Sequence, residues 1–181
     1  MKYSTVLLLL CVVLFSLNLT AQNSDHITTQ KSIMASTAAS KNHKTLMAAL
    51  KAAEMEKILD QEGPFTIFAP SDGAFEKLSS ERVATLLKPE NKEELQAMVT
   101  AHIIVGNLSA SKILKAMCRG EGTAVFTTMQ GNELIATMDG IDIILTDQNG
   151  NAARITSADA TQRNGVIHVI DSVILPKPIK V

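Results

Sequence analysis

Gly63-Pro64-Phe65-Thr66-Ile67-Phe68-Ala69-Pro70-Ser71-Asp72-Gly73-Ala74-Phe75 sets three kinds of local chemistry in a fixed order. Gly63-Pro64 stops whatever precedes it. Phe65 to Ala69 is short, apolar and partly β-branched, which suits a buried strand. Pro70 ends that strand, since it has no N–H for a sheet ladder. Ser71 can then cap a helix running through Leu78, and Asp72 falls in its first turn, where a carboxylate is favoured. The chain must enter a core, stop and turn at once into a helix.

A second stretch, Asn164-Gly165-Val166-Ile167-His168-Val169-Ile170-Asp171-Ser172-Val173-Ile174-Leu175-Pro176, carries the complementary signal. Alternate residues of a strand point to opposite faces, so Val166, His168 and Ile170 share one face and Ile167 and Val169 the other. Both faces are mostly apolar, which predicts a central strand buried on both sides. Asn164-Gly165 is a tight-turn dipeptide that sets its register.

Upstream of the first stretch the pattern is helical. Leu46, Ala49, Leu50 and Ala53 recur at helix spacing, and Ile58 with Leu59 continues an inward face. Beyond it, Val83, Leu86 and Leu87 form a short stripe. Asn91 with Glu94 resembles a capping box for a further helix, whose inward face is Leu95, Met98, Val99 and His102. Ser109 or Ser111 can cap another bearing Ile113, Ala116 and Met117, with Gly120 and Gly122 at its exit. The character then changes. Thr123 to Met129, Glu133 to Met138, Asp142 to Thr146, Arg154 to Ala158 and Gly165 to Leu175 predict strands separated by Gly131-Asn132, Asp139-Gly140, Asn149-Gly150 and Asn164-Gly165. A helical half before a strand half predicts an α+β fold with a largely antiparallel sheet, and the region near His102 should add a further strand. No internal repeat appears, so one domain is expected.

The first residues predict export. Lys2 precedes an apolar run from Val6 to Leu17, and Leu19-Thr20-Ala21 ends in a small residue. This is the form of a secretory signal peptide over residues 1–21, too short for a comfortable membrane span. A polar leader (22–30), the domain (31–177) and a tail (178–181) follow. Cys11 has Leu10 before it, so lipidation there is not expected. Signal removal leaves Cys118 alone, which excludes an intrachain disulfide, and its expected state is a small buried hydrophobe. The formal net charge of −1 offers no bulk attraction to nucleic acid. Once the signal is gone the only aromatic residues are Phe65, Phe68, Phe75 and Phe126, few rings for stacking sugars or bases.

The two quoted stretches resemble the two signature motifs of fasciclin domains, and Ala101-His102-Ile103-Ile104-Val105-Gly106 resembles the family's central Tyr-His element. The resemblance extends from about residue 30 to residue 177. It implies a fasciclin-like twisted β-wedge with flanking N-terminal helices. Thr66, Phe68, Pro70, Asp72, His102, Asn164, Gly165 and His168 are the motif residues, and it implies Asp72 or Thr66 as the partner of a core His102. Two departures limit what is carried over. Ala101 stands where the family has an aromatic residue in a region linked, in vertebrate members, to adhesion. Ala158-Asp159-Ala160 stands where integrin-binding members have an Asp-Ile pair, so integrin binding is not expected.

Catalytic constellations are not expected. Ser71, His102 and Asp72 could be imagined as a triad, but no Gly-x-Ser-x-Gly elbow is present and Ser71 is explained as a cap. His26, His43, His102 and His168 lack metal-ligand spacing. Asp142, Asp147, Asn149 and Asn151 resemble half of a calcium loop without its closing glutamate, which predicts a hairpin turn with solvated acids. No phosphate-cradling loop and no cofactor are expected. Asn107-Leu108-Ser109 is a glycosylation sequon, relevant only in a eukaryotic secretory pathway. The resulting expectation is a non-enzymatic adhesion or binding module, secreted, periplasmic or at the cell surface. Its partners would be proteins or polysaccharides of the cell surface, matrix or envelope. The alternative is an extracytoplasmic small-ligand or polysaccharide binder.

Overall fold

The computed structural model describes residues 30–61 and 63–176. The expected signal peptide, most of the leader and the tail lie outside them. Three helices open the described chain: α1 (Ile33–Ala39), α2 (Lys44–Ala52) and the single turn α3 (Glu56–Leu59). Strand β1 (Phe65–Pro70) leads directly into α4 (Asp72–Glu76), with Ser71 Oγ accepting from Ala74 N–H as the cap. Helix α5 (Ser80–Leu86), a 3-10 turn (Pro89–Asn91) and α6 (Lys92–Ala101) follow. Then come β2 (Ile103–Val105) and α7 (Ala110–Arg119), capped by Ser109. The second half is β3 (Ala124–Thr127), β4 (Glu133–Asp139), β5 (Asp142–Thr146), β6 (Ala152–Gln162) and β7 (Gly165–Ile170).

The strands form one sheet in the order β2-β1-β7-β6-β5-β4-β3. All pairings are antiparallel except β1 with β7, which join in parallel from Phe65 opposite Gly165 to Pro70 opposite Ile170. The two stretches that decide the fold are therefore direct neighbours. Beyond β3, Met129 N–H donates to Ile103 O of β2 at 2.6 Å, so the sheet nearly closes on itself.

Because β1 and β7 are covered on both faces, each face feeds its own core. Phe65, Ile67, Ala69 and Ile167 pack under the helical layer with Leu46, Leu50, Leu59, Leu95 and Met98. Phe68 and Ile170 pack on the other side with Ile113, Met117, Leu134 and Leu145. Ala101 is buried in this second cluster. Aliphatic burial on that scale, at about 25 cal/mol per Å² of apolar surface, holds the domain without a crosslink.

Four local expectations are corrected. Asn91 makes no side-chain cap to α6; its Nδ2 donates back to Thr85 O at 2.7 Å, binding the end of α5 instead. Ile58 is exposed, because α3 is one turn long and presents only Leu59 inward. The final strand ends at Ile170 rather than Leu175; Val173 to Leu175 leave the sheet as a strap. Cys118 is exposed, outside the stripe of α7 that buries Ile113 and Met117.

Candidate functional site

The motif residues converge on the β1–β7 pair. Asn164, 4% exposed, is the hinge between sheet and helices. Its Oδ1 accepts from Ile33 N–H at 2.9 Å, and its Nδ2 donates to Leu59 O at 2.6 Å and to Gln61 O at 3.0 Å. One side chain thereby satisfies groups at the start of α1 and the end of α3. Gly165 follows with φ +152, and a Cβ there would lie 1.9 Å from Phe65 O, so the close parallel approach admits only glycine.

Thr66 Oγ1 donates to Gly106 O at 2.7 Å and accepts from Leu108 N–H at 2.9 Å, which sets the loop after β2. Asp72 reaches across to α2, accepting from Thr45 N–H at 2.8 Å and Lys44 N–H at 3.3 Å. Burial pushes its carboxyl up, but these N–H bonds outweigh burial and hold it below the usual carboxylate range. Pro70 closes β1.

The two core histidines are wired in opposite senses. His102 Nδ1 lies 2.8 Å from Met98 O, and its Nε2 accepts from Ile174 N–H at 2.9 Å. The proton therefore sits on Nδ1. Burial pushes this imidazole down to about 4, so it is neutral at ordinary pH. Neither Asp72 nor Thr66 is its partner: both bond backbone elsewhere, and the ring is held by its own helix and by the strap. His168 reverses the assignment. Its Nε2 lies 2.7 Å from Leu108 O, while Nδ1 accepts from Asp159 N–H at 3.3 Å, so the proton sits on Nε2. The ring stacks on Phe68 at a centroid separation of 5.6 Å. Asp159, at φ +61 in the irregular stretch of β6, also accepts from Ala110 N–H at 2.8 Å.

Ser71, His102 and Asp72 are not brought together as a reacting set: each is engaged with a different backbone group. No cluster of three or more His, Cys, Asp or Glu side chains suited to a metal ion occurs among the described residues.

Sequence reasoning placed Asp147 among the solvated acids of a hairpin turn and missed its role. It is buried rather than solvated, and it accepts from Asn149 N–H (2.8 Å), Asn151 N–H (2.9 Å) and Leu175 N–H (3.1 Å). Asn149 Nδ2 donates to Leu175 O at 3.0 Å. Together with His102 these residues pin the strap. The Asp147-x-Asn149-Gly150-Asn151 spacing is an Asx-turn signal, but only the returning strap reveals its depth.

Between the strap, α5 and α6 lies an open groove of about 630 Å³. Leu86, Ala97 and Met98 form its floor, Glu90, Glu93 and Glu94 one rim, and Asn149 and Asn151 the other. Arg82 on the rim is engaged by Glu94. No aromatic ring among the described residues lines it.

The profile of the family described as Fasciclin domain matches residues 41–176. Among curated relatives, Protein sll1483 of Synechocystis sp. is 39% identical over 136 residues, covering 73% of this chain and 66% of that protein. An uncharacterized protein of the same organism, sll1735, is 32% identical, covering 72% and 87%. Human periostin is 32% identical over 74% of this chain but only 14% of its own length. Among solved structures, a FAS1 domain pair from the insect cell adhesion molecule Fasciclin I matches with a TM-score of 0.71 at 15% identity, covering 80% of this chain and 51% of that one. The chain thus spans about two thirds of the first relative and about half of the solved pair.

Proposed function

The chain belongs to the fasciclin domain family, and from that premise we propose that it is an exported, non-enzymatic adhesion or binding module contacting protein or polysaccharide partners at the cell surface, matrix or envelope. One observation carries the non-enzymatic part: both ring nitrogens of His102 and of His168 are taken by backbone atoms within the core. A general base needs a free nitrogen within reach of a substrate proton, and neither ring offers one. The adhesion part draws on the likeness to the insect cell adhesion molecule. Export draws on the signal-like residues 1–21. No helix among the described residues is long and apolar enough to cross a membrane.

Recognition is then a property of the outer surface. A polysaccharide partner is the weaker choice within this reading, because Phe65, Phe68 and Phe75 are buried and no ring among the described residues lines the groove for a sugar to stack on. Binding of the purified domain to cells, matrix polymers and envelope extracts tests the proposal. Saturable binding to at least one is expected, and no detectable binding to any of them counts against it.

A further inference from the structure

The groove between α5, α6 and the strap has one-sided hydrogen-bonding chemistry. The Glu90 and Glu93 carboxylates have no hydrogen-bond or ion-pair partner among the described residues, whereas Glu94 is balanced by Arg82. Each rim amide already has an N–H donor engaged within the protein. Asn91 Nδ2 goes to Thr85 O, Asn149 Nδ2 to Leu175 O, and Asn151 Nδ2 to Asp147 Oδ2 at 2.9 Å. Their Oδ1 atoms accept nothing from the described residues. The two unmatched carboxylates and the asparagine oxygens favour a ligand that brings hydrogen-bond donors and positive charge, together with an aliphatic body for the floor of Leu86, Ala97 and Met98.

That combination excludes several classes. Phosphates, acidic sugars and nucleic acids would meet two uncompensated carboxylates. A linear polyamine would match the carboxylates and lay its methylenes on the floor, but it has no branched side chain to fill a groove of about 630 Å³. We infer that the groove docks an extended, lysine- or arginine-bearing peptide segment of a partner protein. Its aliphatic side chain covers Leu86 and Met98, its cationic side chains meet Glu90 and Glu93, and its backbone N–H groups face the asparagine oxygens of the opposite rim. The wall is preformed, since Asp147 and His102 hold the strap, and a preformed wall lowers the ordering cost of binding. This inference rests on the reading of the domain as a binding module and names one face of it and the partner chemistry.

The test uses the full chain and a fluorescein-labelled peptide of sequence Ala-Lys-Ile-Lys-Val-Ala, with Ala-Glu-Ile-Glu-Val-Ala as its charge-reversed counterpart, both followed by anisotropy at low salt. The expected result is saturable binding of the lysine peptide alone, weakened about tenfold or more in the Glu90→Lys/Glu93→Lys variant and by raised salt. Both substituted positions are exposed, so the variant should melt as the parent does. Undetectable binding, equal binding by the variant, or displacement by spermidine at matched concentration would each overturn the inference. Lys177 and Lys180 follow the strap in sequence. If the peptide bound only after Lys177→Glu/Lys180→Glu, the groove would belong to the chain's own end and the partner would be ruled out. The same groove variant taken through the envelope assay separates the two readings. Intact envelope binding without peptide binding removes the groove and keeps the module, whereas peptide binding without any envelope partner supports the groove and removes the module.

Discussion

The motif core and the strap groove both carry polar side chains, yet they treat them in opposite ways. Around β1 and β7 every polar atom named above is matched: Asn164 to three backbone groups, each histidine to two, Thr66 to two. On the groove rim, the Glu90 and Glu93 carboxylates and the amide oxygens stand without partners among the described residues. Buried polar groups are costly unless satisfied, so complete matching is what a packed core requires. Open acceptors beside an apolar floor are what a binding face offers. The residues that make the family recognisable therefore build the domain, and the proposed recognition face lies where the sequence looked unremarkable.

The contrast predicts a steep gradient of effects. The largest should come from Gly165→Ala. A Cβ placed 1.9 Å from Phe65 O forces β1 and β7 apart, at a cost of about 4 kcal/mol or more, enough to abolish folding in a marginally stable domain. Expression as soluble, cooperatively melting protein would break the account of the parallel pair. Asn164→Ala comes next. It orphans Ile33 N–H and Leu59 O together, for a loss of about 3 to 4 kcal/mol in urea unfolding.

Acid should act most strongly through the core histidine. The unfolded His102 takes up a proton near 6.5, the folded one only near 4. Between those values the unfolded state binds more protons, so the His102 contribution is complete above pH 6.5, is lost as pH drops through the window and levels off below about 4. The loss attributable to His102 is roughly 3 kcal/mol. His43, lowered by partial burial against the opposing pull of Asp72, contributes in the same direction. Urea midpoints at several pH values measure this; a His102→Gln protein whose midpoint falls with pH as steeply as the parent's would contradict the assignment. The smallest effect belongs to the groove: Glu90→Lys/Glu93→Lys should change stability by no more than about 0.5 kcal/mol.

Much of the fold was legible because its signals are local. Phe65 to Asp72 carries strand, stop and cap within eight residues, and the Asn-Gly and Asp-Gly pairs mark turns by backbone chemistry alone. What escaped depends on distant segments. The Ile174 N–H that His102 binds lies 72 residues away in sequence, and Leu175, which helps bury Asp147, lies 28 away. Asn91 looked like a cap because its spacing to Glu94 fits one, but the carbonyl of Thr85 competes successfully for its amide. The groove is assembled from α5, α6, a hairpin turn and the strap, and no single stretch of sequence carries its signature.

The central claim, that the motif histidine serves architecture and the outer surface serves recognition, is tested most directly by measuring melting temperature and envelope binding on the same His102→Ala preparation. The account predicts a loss of about 2 to 3 kcal/mol, seen as a melting temperature lower by about 5 to 10 °C, with binding per folded molecule unchanged at a temperature where the variant is native. An unchanged melting temperature with binding abolished would contradict it.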